Sequence, residues 1–292
     1  MKIIIALKEG AFRSLKSWKG IALVLIFFLL MVSLLALPMK GALNAGFGKS
    51  MITEKLRDGF NIEVFTDLGT YLTSLISYFS SGLFVIILIG ILLNAFLTGG
   101  LFNALKETSG NFSSSEFFRA SSKYFWPFLI ITMVTSIIIF FLVLFIIFIP
   151  LIIMTMEENP SESSVFTVGI IACSVFLLLL FMLLLVADYA RAWQVMYERS
   201  SGFRAIGYGF KQTFRTFLSS FPLMIFLFVI QILFGIIVLK ILPGWRPASG
   251  GGVFLLFIVS QLLFYIKIML RVWRYASVTS LMEQGLKKHD NN

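Results

Sequence analysis

Five ionisable residues lie close to long apolar stretches and are the first candidates for chemistry: Asp188, Arg191, Lys267, Arg271 and Arg274. A charged side chain at mid-membrane costs about 2.5–3.5 kcal/mol on insertion scales, so a charge near this depth indicates a role. Asp188 and Arg191 are three residues apart and share a helix face, and the three later bases also share one. Structural ion pairing is the reading we favour, and a vestibule for an anionic ligand and catalysis are the alternatives.

Other residue types that support catalysis or metal binding are scarce. The chain has one cysteine, Cys173, within an apolar stretch, and one histidine, His289, in a polar tail. One of each cannot build a disulfide or a metal site of several His or Cys ligands within a single chain. The phosphate-binding motif GxxxxGK[ST] and the zinc motif HExxH do not occur in the sequence. We therefore predict a protein that is not an enzyme, with no catalytic residue, no cofactor and no metal.

Six apolar stretches account for nearly half of the chain. They cover Ile21–Leu37, Tyr71–Leu97, Phe125–Met154, Val165–Val186, Phe217–Leu239 and Val253–Leu270. About 20 apolar residues in a helix cross the roughly 30 Å hydrocarbon layer, and a helix satisfies its own backbone polar groups there. The mean hydropathy of +0.96 agrees. The sequence predicts an all-α polytopic bundle of six transmembrane helices in one membrane domain, 1–292, with the first stretch retained rather than cleaved as a signal peptide.

The basic residues fall mostly on one side of these stretches. Of the 24 Lys and Arg residues, 18 lie in segments that would share a side. Basic loops stay cytoplasmic, so we expect a multi-pass protein of the cell (inner) membrane with both termini inside. The acidic loop with Glu157, Glu158 and Glu162 then lies outside. We attribute the net charge of +10 to the membrane topology and to contact with anionic lipid headgroups on the cytoplasmic face. We do not expect nucleic-acid binding.

The cytoplasmic segments resemble one another. Polar extensions follow the second, fourth and sixth stretches and end at Gly110, Gly202 and Gly285, which we expect to be helix C-caps. A basic, aromatic-rich piece precedes the first, third and fifth stretches, and we expect it to form an amphipathic juxtamembrane helix. In the first of these the apolar stripe is Ile4, Leu7, Ala11, Leu15 and Trp18. This pattern predicts three parallel two-helix repeats at about 1–110, 111–202 and 203–285, followed by a polar tail, 286–292.

Three short motifs carry a family resemblance. They are GlyGlyLeuPheAsnAlaLeu at 99–105, AspTyrAlaArg at 188–191 and ArgTyrAlaSer-x-Thr at 274–279. With the six-span plan, they resemble the membrane domain fused to some glycerophosphodiester phosphodiesterases and its stand-alone relatives among uncharacterised bacterial membrane proteins. The resemblance implies a fold and a membrane location. It carries no enzyme activity to this chain, because the catalytic barrel of the fused proteins has no counterpart in this sequence.

Two classes of function remain beside an intramembrane enzyme. The first is a non-enzymatic membrane protein that organises the membrane or binds lipids or an unidentified protein partner. The alternative is a transporter or channel for a small or amphiphilic solute. Transport of a polar solute needs buried polar groups at mid-membrane. The middles of the stretches are nearly all Leu, Ile, Phe and Val, so we favour the first class, although a path for lipid could be apolar.

Two structural expectations follow from spacing and depth. Ile52, Leu56 and Phe60 recur every four residues, which predicts a short helix at about Ser50–Phe60 on the outer face. Asp188 is the only acid near the bases at membrane depth, and an unpaired carboxylate there is unfavourable. We therefore expect it to contact Arg191, Arg271 or Arg274.

Overall fold

The protein is described by a computed structural model over residues 2–47, 69–106, 112–156, 161–198, 201–242, 244–245 and 249–290. The helices are α1 (Lys2–Lys16), α2 (Trp18–Phe47), α3 (Gly69–Ala104), α4 (Ser114–Val143), α5 (Ile149–Thr155), α6 (Glu162–Met196), α7 (Gly202–Arg215), α8 (Phe217–Ile241) and α9 (Gly250–Asp290). A π-helical segment, Leu144–Phe148, joins α4 to α5 without a break. The described residues contain no β-strand.

The membrane-spanning character is confirmed. Within the described residues, five helical segments are long and apolar enough to cross a bilayer: Gly82–Ala104, Ser114–Met154, Ser163–Met196, Phe217–Ile241 and Gly250–Gly285. A sixth span results if α1 and the start of α2, which meet at an angle of 64°, count as one bent span. The protein is an all-α polytopic membrane bundle. The helix predicted at Ser50–Phe60 lies outside the described residues.

Two compact units divide the chain. One combines Met1–Leu23 with Ala95–Asn292, and the other is Val24–Asn94. In the second unit α2 and α3 approach each other at Gly90, where a Cβ atom would lie 3.8 Å from the methyl carbon of Met31. All five candidate charges belong to the first unit. The assignment of residues 1–292 to a single domain with three repeats stays a prediction.

Two of the three predicted juxtamembrane helices are separate elements. The helix breaks at Ser17, between α1 and α2, and at Thr216, between α7 and α8. The second predicted piece instead continues into its span, because α4 runs unbroken from Ser114 through Pro127 to Val143. A proline inside a helix removes one hydrogen bond and bends the axis without having to end it. Phe117 and Tyr124 before Pro127 and Phe128 after it are all buried, which favours one continuous helix.

The prediction that glycines cap the extensions is wrong at the two positions that the structure describes. α6 ends at Met196, six residues before Gly202, and Glu198 takes the left-handed conformation with φ 51°. Gly202 is the first residue of α7, and α9 continues through Gly285 to Asp290. A Cβ on Gly202 would lie only 3.0 Å from the Cβ of Ile130, so this glycine permits close packing. Glycine serves both purposes, and spacing alone does not separate them.

α1 packs on α9 through a face of small residues that the sequence analysis missed. The predicted stripe is partly exposed, with Ile4, Leu15 and Trp18 outward. The buried face consists of Ala6, Gly10, Ser14 and Ser17. The indole N–H of Trp273 donates to the carbonyl of Leu7 at 2.9 Å, and Arg13 pairs with Glu283 at 2.7 Å. The helix is therefore anchored to the bundle on one face while it presents another outward.

Gly10 provides a test of this packing. A Cβ on Gly10 would overlap the hydroxyl of Ser277 and lie 2.7 Å from its backbone N and 2.8 Å from its Cα. We expect Gly10→Ala to destabilise the protein by about 1–3 kcal/mol, the usual effect of overpacking. The matched control is Gly207→Ala in α7, where nothing lies within 4 Å of the added carbon and up to about 1 kcal/mol of helix propensity is gained. Thermal unfolding in detergent measures both, and equal melting temperatures for the two variants would contradict the packing argument.

Candidate functional site

The buried core lies at the end of the bundle where α1 and α7 pack, which we call the connector end. In α8 the buried residues are Ser220, Leu223, Met224 and Leu227, all in its first half. In α9 the first buried residue is Ile268. Beyond these positions the described residues of α8 and α9 are exposed or half-buried, and most are apolar. Protein packing therefore holds the connector end together, whereas lipid must cover the far halves of the helices.

A buried ion cluster centres on Asp188, whose side chain is fully buried. Its Oδ2 lies 2.9 Å from Nε of Arg274, across the interface between α6 and α9. Its Oδ1 accepts a hydrogen bond of 3.4 Å from Nη1 of Arg191, one turn along α6. The predicted contact of Asp188 with these bases is thus confirmed. Arg274 is the partner from α9, whereas Arg271 donates a hydrogen bond to Tyr275 instead.

Two further helices hold the guanidinium groups in place. Nη2 of Arg191 donates to the hydroxyl of Thr132 on α4 at 3.2 Å. The guanidinium of Arg274 lies 5.3 Å from the ring centre of Phe228 on α8 and 5.1 Å from that of Tyr275. Aromatic faces attract cations at this distance, more strongly where water is excluded. The cluster therefore ties α4, α6, α8 and α9 together.

The five candidate charges separate into a buried group and an exposed group. Asp188, Arg191 and Arg274 are buried, whereas Lys267 and Arg271 are exposed. Nε of Arg271 donates to the hydroxyl of Tyr275 at 2.7 Å, which holds its guanidinium near the surface of α9. Lys267 is among the residues that line a cleft of about 400 Å³ between α8 and α9. The shared helix face predicted for the three bases of α9 is therefore divided between core and surface.

The buried cluster carries more positive than negative charge and is not fully hydrogen-bonded. Two guanidinium groups face one carboxylate, and the contact of Arg274 with Asp188 Oδ2 lacks the alignment of a hydrogen bond. Nε of Arg191 has no hydrogen-bond partner among the described residues. Neither does the amide of Gln194, which is fully buried. The arrangement can fix helices and attract an anion toward the connector end.

The motif residues that flank the cluster position the connector segments. The hydroxyl of Tyr189 lies 2.6 Å from that of Ser220 and 3.3 Å from that of Thr216, at the break between α7 and α8. The ring centre of Tyr275 lies 4.9 Å from that of Phe102, in the last turns of α3. Tyr189 and Tyr275 belong to the motifs at 188–191 and 274–279, for which the sequence indicated a family resemblance and no structural role. Each tyrosine directly follows a candidate charge in the sequence, Asp188 or Arg274, and this adjacency was the signal that could have predicted a shared polar core.

Two ion pairs link Glu198, which follows α6, to Lys123 of α4 and to Lys106, which follows α3. Nζ of Lys123 lies 2.7 Å from one carboxylate oxygen of Glu198, and Nζ of Lys106 lies 3.8 Å from the other. The hydrogen bond from Lys123 lowers the pKa of Glu198, while partial burial lowers the pKa of Lys106. Glu198 occupies the left-handed position after α6. Its pairing therefore favours a backbone conformation that is unusual for a residue other than glycine.

No family model, no curated protein and no solved structure matches this chain. The resemblance to the membrane domain of glycerophosphodiester phosphodiesterases therefore stays a prediction.

The buried pair predicts a strong and selective coupling. Removing one partner of a buried ion pair costs about 3–5 kcal/mol, because the other charge is left unpaired. We expect Asp188→Asn and Arg274→Gln to destabilise the protein separately, and the double variant to lose less than the sum. The matched control is the cycle of Asp188→Asn with Arg271→Gln, since Arg271 donates to Tyr275 instead. Unfolding in detergent gives both coupling energies, and a larger one for the Arg271 cycle would refute the assignment.

Proposed function

We propose that this is a non-enzymatic protein of the cell inner membrane that binds anionic lipids at the cytoplasmic face and organises the membrane, or a partner, there. The observation that carries the proposal is the surface of α1 and α7 that faces away from the packed core. Both helices are anchored at the connector end by one face and expose large apolar side chains on another. These are Ile4, Phe12 and Leu15 in α1, and Phe203, Phe210 and Phe214 in α7.

Basic side chains border these apolar surfaces. Lys16 and Lys19 lie at the end of α1 and the start of α2, and Arg204, Lys211 and Arg215 lie on α7, all exposed. A helix with this pattern lies in the interface plane, its apolar face in the acyl region and its bases near the phosphates. Each such base contributes about 1 kcal/mol of attraction to an anionic leaflet. The two helices are therefore suited to hold anionic lipid around the connector end.

The proposed repeats draw support from the contacts of the connector segments. α1 packs on α9, and α7 packs on α6. The first part of α4 approaches the last turns of α3, where a Cβ on Gly100 would lie 2.8 Å from the ring of Phe117. Each segment thus contacts the extension that precedes it, with α1 and α9 closing the cycle. We propose three parallel repeats along the chain, with this basic end in the cytoplasm.

A transporter or channel for an amphiphilic solute is the second candidate. The cleft between α8 and α9 and the exposed apolar far halves of both helices favour it. Movement of a fluorescent phospholipid between leaflets of proteoliposomes separates the two candidates. Acceleration over protein-free vesicles that depends on protein density favours transport, and unchanged movement favours binding and organisation.

The orientation has a direct test. Reporter fusions after Gly202 should be active only in the cytoplasm, and fusions after Glu162 only outside, because basic segments are retained inside. A matched pair of reporters, one active on each side, controls for expression at both positions. The opposite pattern at either position would reject the proposed orientation.

The lipid preference of the connector helices has a second test. Arg204→Gln with Lys211→Gln removes two bases from α7, and we expect stabilisation by phosphatidylglycerol to need about a thirtyfold higher lipid concentration, because each base contributes about 1 kcal/mol and about 1.4 kcal/mol is a factor of ten. Stabilisation is measured as the lipid concentration that gives half of the maximal rise in melting temperature. Lys49→Gln with Lys240→Gln removes the same charge from the predicted outer side and should leave that concentration unchanged. Equal effects of the two pairs would refute an interfacial role of α7.

A further inference from the structure

The cleft between α8 and α9 combines apolar walls with a small number of polar groups. Its walls include Phe234, Gly235 and Val238 of α8 and Leu263 and Phe264 of α9. Gln231, Ser260 and Lys267 are the polar residues among those that line it. Its volume of about 400 Å³ falls in the range of roughly 300–1,000 Å³ that is typical of small-molecule sites. Such a lining suits a ligand that is apolar over most of its length and polar at one end.

The position of the cleft along α9 places its polar end near the connector end. Lys267 precedes the buried Arg274 by seven residues, so it lies about 10 Å farther along the helix at a rise of 1.5 Å per residue. Ser260 lies about 10 Å beyond that, toward the far end. On α8, Gln231 follows Leu227, the last buried residue of that helix. The cleft therefore extends from the edge of the packed core into the halves of the helices that lipid must cover.

Two exposed bases lie one helical turn apart at the polar end. Lys267 is one of the residues that line the cleft, and Arg271 follows it by four residues. The hydrogen bond from Arg271 to the hydroxyl of Tyr275, with its guanidinium 5.7 Å from that ring centre, limits the motion of the guanidinium. Asp188 already pairs with Arg191 and Arg274, so its carboxylate does not serve as the partner of Lys267 and Arg271. An anion from outside the chain is therefore the complementary partner for this pair of bases.

Gln231 supplies a further polar group. Its Nε2 is buried and has no hydrogen-bond partner among the described residues. A buried amide donor without an acceptor is unfavourable, and native structures normally provide one. The ester carbonyl of a phospholipid is an acceptor that lies between an acyl chain and a phosphate. Ser260 needs no such partner, because its hydroxyl donates to the carbonyl of Leu256 at 2.7 Å.

We propose that this cleft binds one anionic phospholipid, with an acyl chain between α8 and α9 and the phosphate on Lys267 and Arg271. The amide of Gln231 donates to an ester oxygen of the same lipid. The proposal rests on the proposed function and deepens it, because it assigns one defined lipid site in addition to the lipid around α1 and α7. The recognised chemistry is a phosphate attached to a hydrocarbon chain, so neither part alone is sufficient.

The test uses the full-length protein in detergent with three probes: phosphatidylglycerol, phosphatidylcholine and inorganic phosphate. Native mass spectrometry counts bound lipids, and melting temperature reports their effect. We expect one phosphatidylglycerol to remain bound at concentrations at which phosphatidylcholine and inorganic phosphate give no adduct and no shift in melting temperature. Equal retention of phosphatidylcholine, or an equal shift with inorganic phosphate, overturns the proposal.

Two variants act on different parts of the site. Lys267→Gln should weaken retention of phosphatidylglycerol about tenfold, and Lys267→Arg should restore it. Gly235→Leu should abolish it by filling the cleft, because nothing lies within 4 Å of a carbon added at Gly235 and the protein can fold around the larger side chain. The matched control is Gly250→Leu, at the start of α9, where nothing lies within 4 Å either. Wild-type retention in both Lys267→Gln and Gly235→Leu overturns the proposal.

The α7 variants distinguish a failure of this site from a failure of the proposed function. If the double variant of Arg204 and Lys211 loses its preference for phosphatidylglycerol while the Lys267 and Gly235 variants keep the bound lipid, this site is wrong and the proposed function stands. If the Lys267 and Gly235 variants lose the tightly bound lipid while the α7 variant behaves like wild type, the site is correct and the role of α7 is refuted.

Discussion

Burial of the Asp188 carboxylate is the constraint on which the connector end depends. A carboxylate without exposure to solvent is stable only with cationic or hydrogen-bonding partners, and here they come from its own helix and from α9. Arg191 then reaches Thr132 on α4, and Arg274 lies against Phe228 on α8. One buried charge thus fixes the relative positions of four helices. Such a pair adds specificity of packing more than net stability, because removing two charges from water offsets much of their attraction.

Close contact between helix backbones is the second determinant. Lipid tails are as apolar as leucine, so helices in a membrane associate through tight packing and hydrogen bonds rather than through the hydrophobic effect. Gly10 allows α1 to touch α9, and Gly209 allows α7 to touch α6, where a Cβ would overlap the carbonyl of Val186. The buried hydroxyls around Tyr189 then fix the break that precedes α8. These contacts are confined to the connector end, which leaves the far halves of α8 and α9 with apolar side chains outward.

The basic residues of the connector end and the cleft form a buried group and an exposed group. Arg191 and Arg274 serve the internal cluster, whereas Lys267, Arg271 and the bases of α7 remain exposed at depths or surfaces that lipid headgroups can reach. A base that already has a buried acid as its partner contributes little to lipid attraction. The exposed bases lie beside apolar surfaces on α7 and in the cleft. This combination is what makes an anionic lipid, in preference to a soluble anion, the ligand that both proposals name.

The sequence by itself determined the apolar helices, the uneven distribution of bases and the need of Asp188 for a basic partner. These follow from properties that act locally: the thickness of the bilayer, the period of a helix and the cost of an unpaired charge at membrane depth. Tertiary structure alone decided that Arg274 and not Arg271 meets Asp188, that Gly202 begins a helix, and that Lys267 lines a cleft. Residues 271 and 274 lie within about 60° of each other on a helix of 3.6 residues per turn, so periodicity places both near the same face. The rotation of α9 against α6 and α8, set by packing between segments distant in sequence, decided which of them is buried.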